Sequence, residues 1–185
     1  MRIPALILAL GASALLAVGC ARNEEPARQA VASAETALNQ VRPEAAKLVP
    51  EQLQAADHKL AALKEGLAKE HYKEVLVEAK QFNAEVVSLH DAIVAKQTQL
   101  AAATHEWESL SEEVPKMVQA IEDQVGNLSG SKRDAAKIEL DSMKSLWAEA
   151  SAAFDAGDPT AATDKGRMVQ AKAKEVTAQL GMSPV

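Results

Sequence analysis

A single cysteine in 185 residues leaves no partner for an internal disulfide and too few thiolates for a Cys-clustered zinc or iron–sulfur site. Aromatic residues make up only 3% of the chain and β-branched residues are sparse, which removes the usual material of a sheet. Eight glycines and seven prolines are too few for a linker or a collagen-like chain. The formal charge of −6 argues against a nucleic-acid binder. What is abundant is alanine, 38 residues of it, the best intrinsic helix former. The composition therefore predicts an all-α chain.

The first residues read as an address. Met1-Arg2 carries one positive charge, residues 3–18 carry none, and the stretch ends Leu16-Ala17-Val18-Gly19-Cys20. A charged start, an apolar middle and a small residue before a cut make residues 1–19 a signal peptide. The run falls short of the roughly 20 apolar residues a membrane span needs, and Pro4, Gly11 and Ser13 weaken it further. Its end resembles a bacterial lipobox, with cleavage between Gly19 and Cys20 and with Ala17 where leucine is usual. The resemblance implies that Cys20 becomes the first mature residue and carries thioether-linked lipid and palmitate, a multi-chain and therefore stable membrane anchor. Ala21 stands where lipoproteins kept in the inner membrane often have Asp, which implies the periplasmic face of the outer membrane. The plainer alternative is a secreted protein with a leftover thiol.

Residues 20–25 read as a short tether, and Pro26 as the opening of a first helix. Apolar residues then recur in steps of three and four: Val31, Ala34, Leu38 and Val41, stopped by Pro43; Leu53, Ala56, Leu60, Leu63 and Leu67; Val75, Ala79, Phe82, Val86, Leu89 and Ile93. Each is a seam narrow enough for coiled-coil packing. A shift of 87 residues reproduces the pattern: Val31 falls on Val118, Leu38 on Val125, Leu53 on Leu140, Leu60 on Trp147 and Phe82 on Val169. Pro43 falls on Gly130, and Glu70-His71-Tyr72 on Gly157-Asp158-Pro159, so the breaks align as well. The expected architecture is two repeated antiparallel three-helix, coiled-coil-like units, residues 26–110 and 111–185, joined by a long third helix.

The punctuation fits that plan. Gly130 with Ser131 and Asp134 reads as a stop and a capping start, Gly157 as a left-handed helix end, and Asp158-Pro159 as a cap and first turn. Gly181 and Pro184 close the last helix. Residues 72–128 admit two readings, one long kinked helix or two helices. The unbroken heptad register favours one. Pro115 favours a break near Ser111, and the break is preferred because an interior proline costs about 3 kcal/mol.

Residues 49–60, Val-Pro-Glu-Gln-Leu-Gln-Ala-Ala-Asp-His-Lys-Leu, followed by the Glu70-His71-Tyr72 turn, resemble a family of short bacterial envelope lipoproteins known only as a domain of unknown function. Val49 stands in place of that pattern's Ala and Glu70-His71 in place of its Gly-Asp, to which Gly157-Asp158 is closer. The resemblance covers about residues 30–95. It implies an envelope helical domain and carries over no catalytic residues.

The search for chemistry is mostly empty. None of His58, His71, His90 and His105 has a glutamate three residues before it, as bundle di-metal sites require. His71 with Glu74 and Glu78, and His105 with Glu108, share helix faces in a way common on solvated helices, so no metal and no cofactor is assigned. Gly126 to Lys132 imitates a phosphate loop, but the spacing is wrong and no strand precedes it. No catalytic residue is assigned.

One stripe has no repeat counterpart: Leu100, Ala103, Trp107 and Leu110 continue the third seam beyond the shorter helices of the first unit. An uncovered apolar stripe either packs on the second unit or marks an interaction site. The sequence is thus expected to encode a non-enzymatic, membrane-anchored periplasmic module that contacts envelope proteins or the cell wall, with no nucleic acid. The alternative is a helical carrier for a small apolar ligand.

Overall fold

A computed structural model describes the backbone of residues 18–181 and the side chains of residues 23–181. Most of the signal peptide and Pro184 lie outside these residues. Five helices follow one another: α1 (Val18–Leu48), α2 (Pro50–Ala68), α3 (Tyr72–Gly126), α4 (Gly130–Asp155) and α5 (Pro159–Gln179). The fold is all-α, with no strand among the described residues.

Three prolines lie inside helices, and they correct the expected breaks. The backbone of residues 20–25 is helix rather than a tether, Pro43 does not stop α1, and α3 runs through Pro115 without a second start near Ser111. Pro26, Pro43 and Pro115 are all exposed. A proline deprives the carbonyl four residues earlier of its donor. For Pro43 that residue is Asn39 and for Pro115 it is Ser111, both also exposed, so the orphaned carbonyls sit on the wet side of the helix. The opposite face stays buried across each proline: Leu38 and Ala45 are both fully buried, as are Val114 and Ile121. Burial of such side chains is worth about 1.5–3 kcal/mol each for the larger ones, enough to offset one interior proline.

The chain forms two compact units that divide between Ala95 and Lys96, inside α3. The first unit's core draws Val31, Ala34 and Leu38 from α1, Leu53, Ala56, Leu60 and Leu63 from α2, and the seam from Val75 to Ile93 from α3. Arg42 on α1 grips Asp57 on α2 with two hydrogen bonds, Nη1 to Oδ2 at 2.9 Å and Nη2 to Oδ1 at 2.6 Å. This pair holds the Asp57 carboxyl below its ordinary range and raises the guanidinium. In the second unit, Leu110, Val114, Val118, Ile121 and Val125 of α3 pack with Leu140 and Met143 of α4 and Val169, Ala173 and Val176 of α5. Residues 96–110, expected as an extension of the first unit, belong to the second.

The turns from α2 to α3 and from α4 to α5 are built alike. Lys69, Glu70 and His71 donate their backbone N–H groups to Glu65, Leu67 and Gly66, and Val75 donates to His71. Ala156, Gly157, Asp158 and Ala162 donate to Ala152, Phe154, Ala153 and Asp158, the same four bonds shifted by 87 residues. The residue at the crux is left-handed in both, Glu70 at φ 60° and Gly157 at φ 84°. Asp158 caps α5 by accepting from Ala161 N at 2.9 Å. The other junctions do not correspond. The first is the single residue Val49, and the second comprises Asn127 to Ser129. Gly130 therefore opens α4 rather than matching a stop at Pro43. Its N-cap is Ser129, without a side-chain cap bond.

Candidate functional site

Gly19 and Cys20 fall in the first turn of α1, ahead of the residues whose side chains are described. Within the described residues the most distinctive cluster surrounds Trp107. Its ring stacks on Trp147, with centroids 5.0 Å apart and planes 15° from parallel, and on Phe154 at 5.3 Å and 18°. Trp147 and Phe154 sit seven residues apart on α4, so both project from one face. Ala150 lies between them and is fully buried, as is Ala162 on α5. Two small side chains make the hole and Trp107 is the knob.

The start of α5 is shaped for close approach to α3. Thr163, 3% exposed, donates its hydroxyl to Ala103 O at 2.9 Å. Gly166 leaves no room for a side chain: a Cβ there would lie 3.0 Å from Leu110 Cδ1 and 3.5 Å from Trp107 Cζ3. Arg167 chelates Glu106 with both Nε and Nη2, which raises the guanidinium. The buried hydroxyl thus has its acceptor, and the exposed charges pair across the rim.

This packing corrects the expected interaction stripe. Trp107 is 7% exposed and Leu110 4%, while Leu100 and Ala103 are half-buried. Within the second unit α4 and α5 cover Trp107 and Leu110. Trp147 and Phe154 are half-buried and flank Trp107. Thr163 and Gly166 escaped the sequence reading, although Ala162, Thr163, Gly166, Val169 and Ala173 repeat at helical spacing and so mark a small-residue face.

The stack contains no titratable group and its slot is filled by Trp107 itself. His58, His71, His90 and His105 are all exposed, and His105 Nδ1 lies 3.4 Å from Glu108 Oε2. Among the described residues no three His, Cys, Asp or Glu side chains are grouped to hold a metal ion. An open groove of 530 Å³ runs beside Glu139, Met168 and Lys172, and another of 430 Å³ beside Val41, Val87 and His90. Among the described residues no helix is long and apolar enough to cross a membrane. Set against family models, curated proteins and solved structures, the chain matches none.

Proposed function

We propose that this protein is a lipid-anchored helical module of the bacterial cell envelope, held by Cys20 at the periplasmic face of the outer membrane. It works without catalysis, through contacts with envelope proteins or the cell wall. The observation that carries the reading is the position of the sole cysteine, directly after Gly19 at the end of an apolar leader. The likeness to the short envelope lipoproteins of unknown function supports the same placement. Val49-Pro50 opens α2 and Glu70-His71-Tyr72 turns the chain into α3, at the two points where that pattern has its proline and its turn.

In this reading the body is two repeats of an antiparallel three-helix unit that share α3. Three observations support it. The four turn hydrogen bonds recur at a shift of 87 residues. Buried positions recur with them, Ala27 with Val114, Val31 with Val118 and Leu63 with Ala150. The close pair Gly66 and Val75 becomes Ala153 and Ala162, one side chain growing where the other shrinks. The alternative of a carrier needs an apolar cavity. Phe82, Ile93 and Met143 instead fill the seams, each 2% exposed or less.

Cys20→Ser tests the anchor. The variant is expected to accumulate as an uncleaved precursor that takes up no labelled palmitate. A Ser variant that is still cleaved, labelled and extracted with the membrane lipoproteins would refute the reading. Crosslinking of the anchored protein in intact envelopes then identifies the contact.

A further inference from the structure

The core-facing residues of α3 in the first unit run Val75, Ala79, Phe82, Val86, Leu89 and Ile93. A second seam of the same period runs Val77, Lys80, Ala84, Val87, Asp91 and Val94, and all six residues are exposed. At 3.5 residues per turn it lies about 150° around the helix from the first. Of the five large apolar residues exposed among the described residues, three stand on it: Val77 at 58%, Val87 at 61% and Val94 at 46%. The side chains of Lys80 and Asp91 have no ion pair or hydrogen bond within the described chain, nor has that of Lys73, whereas Lys59, Lys64 and Lys69 of the same unit each pair with a glutamate.

We propose that this seam is the interface of an antiparallel homodimer. A twofold axis passing between Glu85 and Val86 sets Val77 opposite Val94 of the partner subunit. It sets Lys80 opposite the partner's Asp91 and Ala84 opposite the partner's Val87. Within these six positions every apolar residue then meets an apolar residue and every charge its opposite, while the exposed Lys73, one step earlier on the same seam, meets the partner's Thr98. The alternatives fail on charge. A parallel pair in register would place Lys80 against the partner's Lys80 and Asp91 against the partner's Asp91. Sliding the antiparallel pair by one heptad either brings Asp91 opposite the partner's Lys73 but sets Lys80 against the partner's Ala84, or sets Asp91 against the partner's Val87. Gln81, Asn83, Ser88 and His90 flank the seam, and Glu44 of α1 lines the groove beside Val87. Six seam residues per helix span about 27 Å, so the contact belongs at the small end of specific interfaces, with dissociation in the micromolar range or above.

Charge reversal tests this directly. The full chain, in detergent and reducing agent so that Cys20 cannot crosslink, is followed by sedimentation velocity from about 1 to about 500 μM. The wild type is expected to dimerise within that range. Lys80→Asp leaves a seam with two aspartates and Asp91→Lys a seam with two lysines. Each variant alone is expected to dimerise about 10- to 100-fold more weakly. An equimolar mixture of the two should recover wild-type association, because the heterodimer again pairs every charge with its opposite. Circular dichroism checks that helix content is unchanged. If either reversal costs helix, Val87→Glu is read instead, with loss of dimer expected. A wild type that stays monomeric throughout would overturn the proposal and leave the face to a different protein. So would a dimer indifferent to the reversals, or a mixture no stronger than its components.

Discussion

Replacing Trp107 with alanine should destabilise the second unit by about 3–5 kcal/mol. The side chain is 7% exposed, and burial of roughly 200 Å² at about 25 cal/mol per Å² gives about 5 kcal/mol. Compactness of the unfolded chain lowers this by up to about 40%. The two stacked ring contacts add about 0.5–1.5 kcal/mol each. Partial collapse of the half-buried Trp147 and Phe154 into the vacated slot returns some of that sum. Both tryptophans lie in the second unit, so fluorescence of the remaining Trp147 during urea unfolding follows that unit alone, while far-ultraviolet circular dichroism follows both. With a urea slope of about 1–2 kcal/mol per molar, the fluorescence midpoint should fall by about 2 M or the unit should be unfolded at the outset. The dichroism of the first unit should survive. A loss below about 1 kcal/mol would refute the claim that Trp107 is the knob of this unit. So would strong iodide quenching of Trp107 when Trp147→Phe makes it the only tryptophan.

Gly66→Ala should destabilise by about 1–3 kcal/mol despite its better helix propensity, because the new Cβ would lie 2.7 Å from Cγ2 of the stiff, buried Val75. Adding Val75→Ala, the second unit's own solution, should recover part of the loss in chemical denaturation. Glu70→Gly should stabilise by up to about 1–2 kcal/mol, since Glu70 is exposed and held at φ 60°, and a lower melting temperature would count against strain at that turn. Pro115→Ala should stabilise by up to about 3 kcal/mol by giving the Ser111 carbonyl its donor. No gain in urea midpoint would mean that hydration already compensates the carbonyl. The Arg42–Asp57 pair holds the Asp57 pKa below its unfolded value, so its contribution is complete above about pH 4 and lost as pH falls through the folded value. Both side chains are over a third exposed, so the contribution should stay under about 1 kcal/mol. Wild type and Arg42→Gln should then differ at neutral pH and converge in acid, and parallel stability curves would disprove the linkage.

Helix identity and core faces were legible because a period of 3.5 survives alanine-rich composition. Val31, Leu38, Phe82, Ile121 and Val169 lie on the predicted seams and are buried. The turn at Glu70 was legible only as a break aligned 87 residues before Gly157, because glycine announces a left-handed helix end and glutamate does not; the positive φ of Glu70 appears in the structure alone. Helix ends were less legible where proline was taken for a stop. Proline carries a local cost, but whether it ends a helix depends on which face it occupies. Pro43 and Pro115 follow the wet face, where water can serve the carbonyl that loses its donor, while the buried face continues beneath them. Pro50 and Pro159 occupy first turns, where no donor is missed. One residue type thus marks a start at two sites and nothing at three others, and only its phase against the seam separates the two cases.

The division inside α3 was illegible for a related reason. The seam continues from Ile93 through Leu100, Ala103, Trp107 and Leu110 without changing period, so nothing along α3 itself announces that its partners change. The partners do announce it. A tryptophan needs a hole as large as itself, and a hole on a helix is a small residue between large ones. In the second unit α4 offers Trp147, Ala150 and Phe154, and α5 offers Ala162 and Gly166. In the first unit the positions 87 residues before the α4 trio are Leu60, Leu63 and Leu67, three large residues in a row with no gap for an indole. Reading seams for the sizes of facing residues, as well as for their spacing, assigns Trp107 to α4 and α5. It leaves Val77 and Val87 of α3 exposed, Val87 at the edge of the open groove it shares with Val41, as apolar side chains that a second chain can cover.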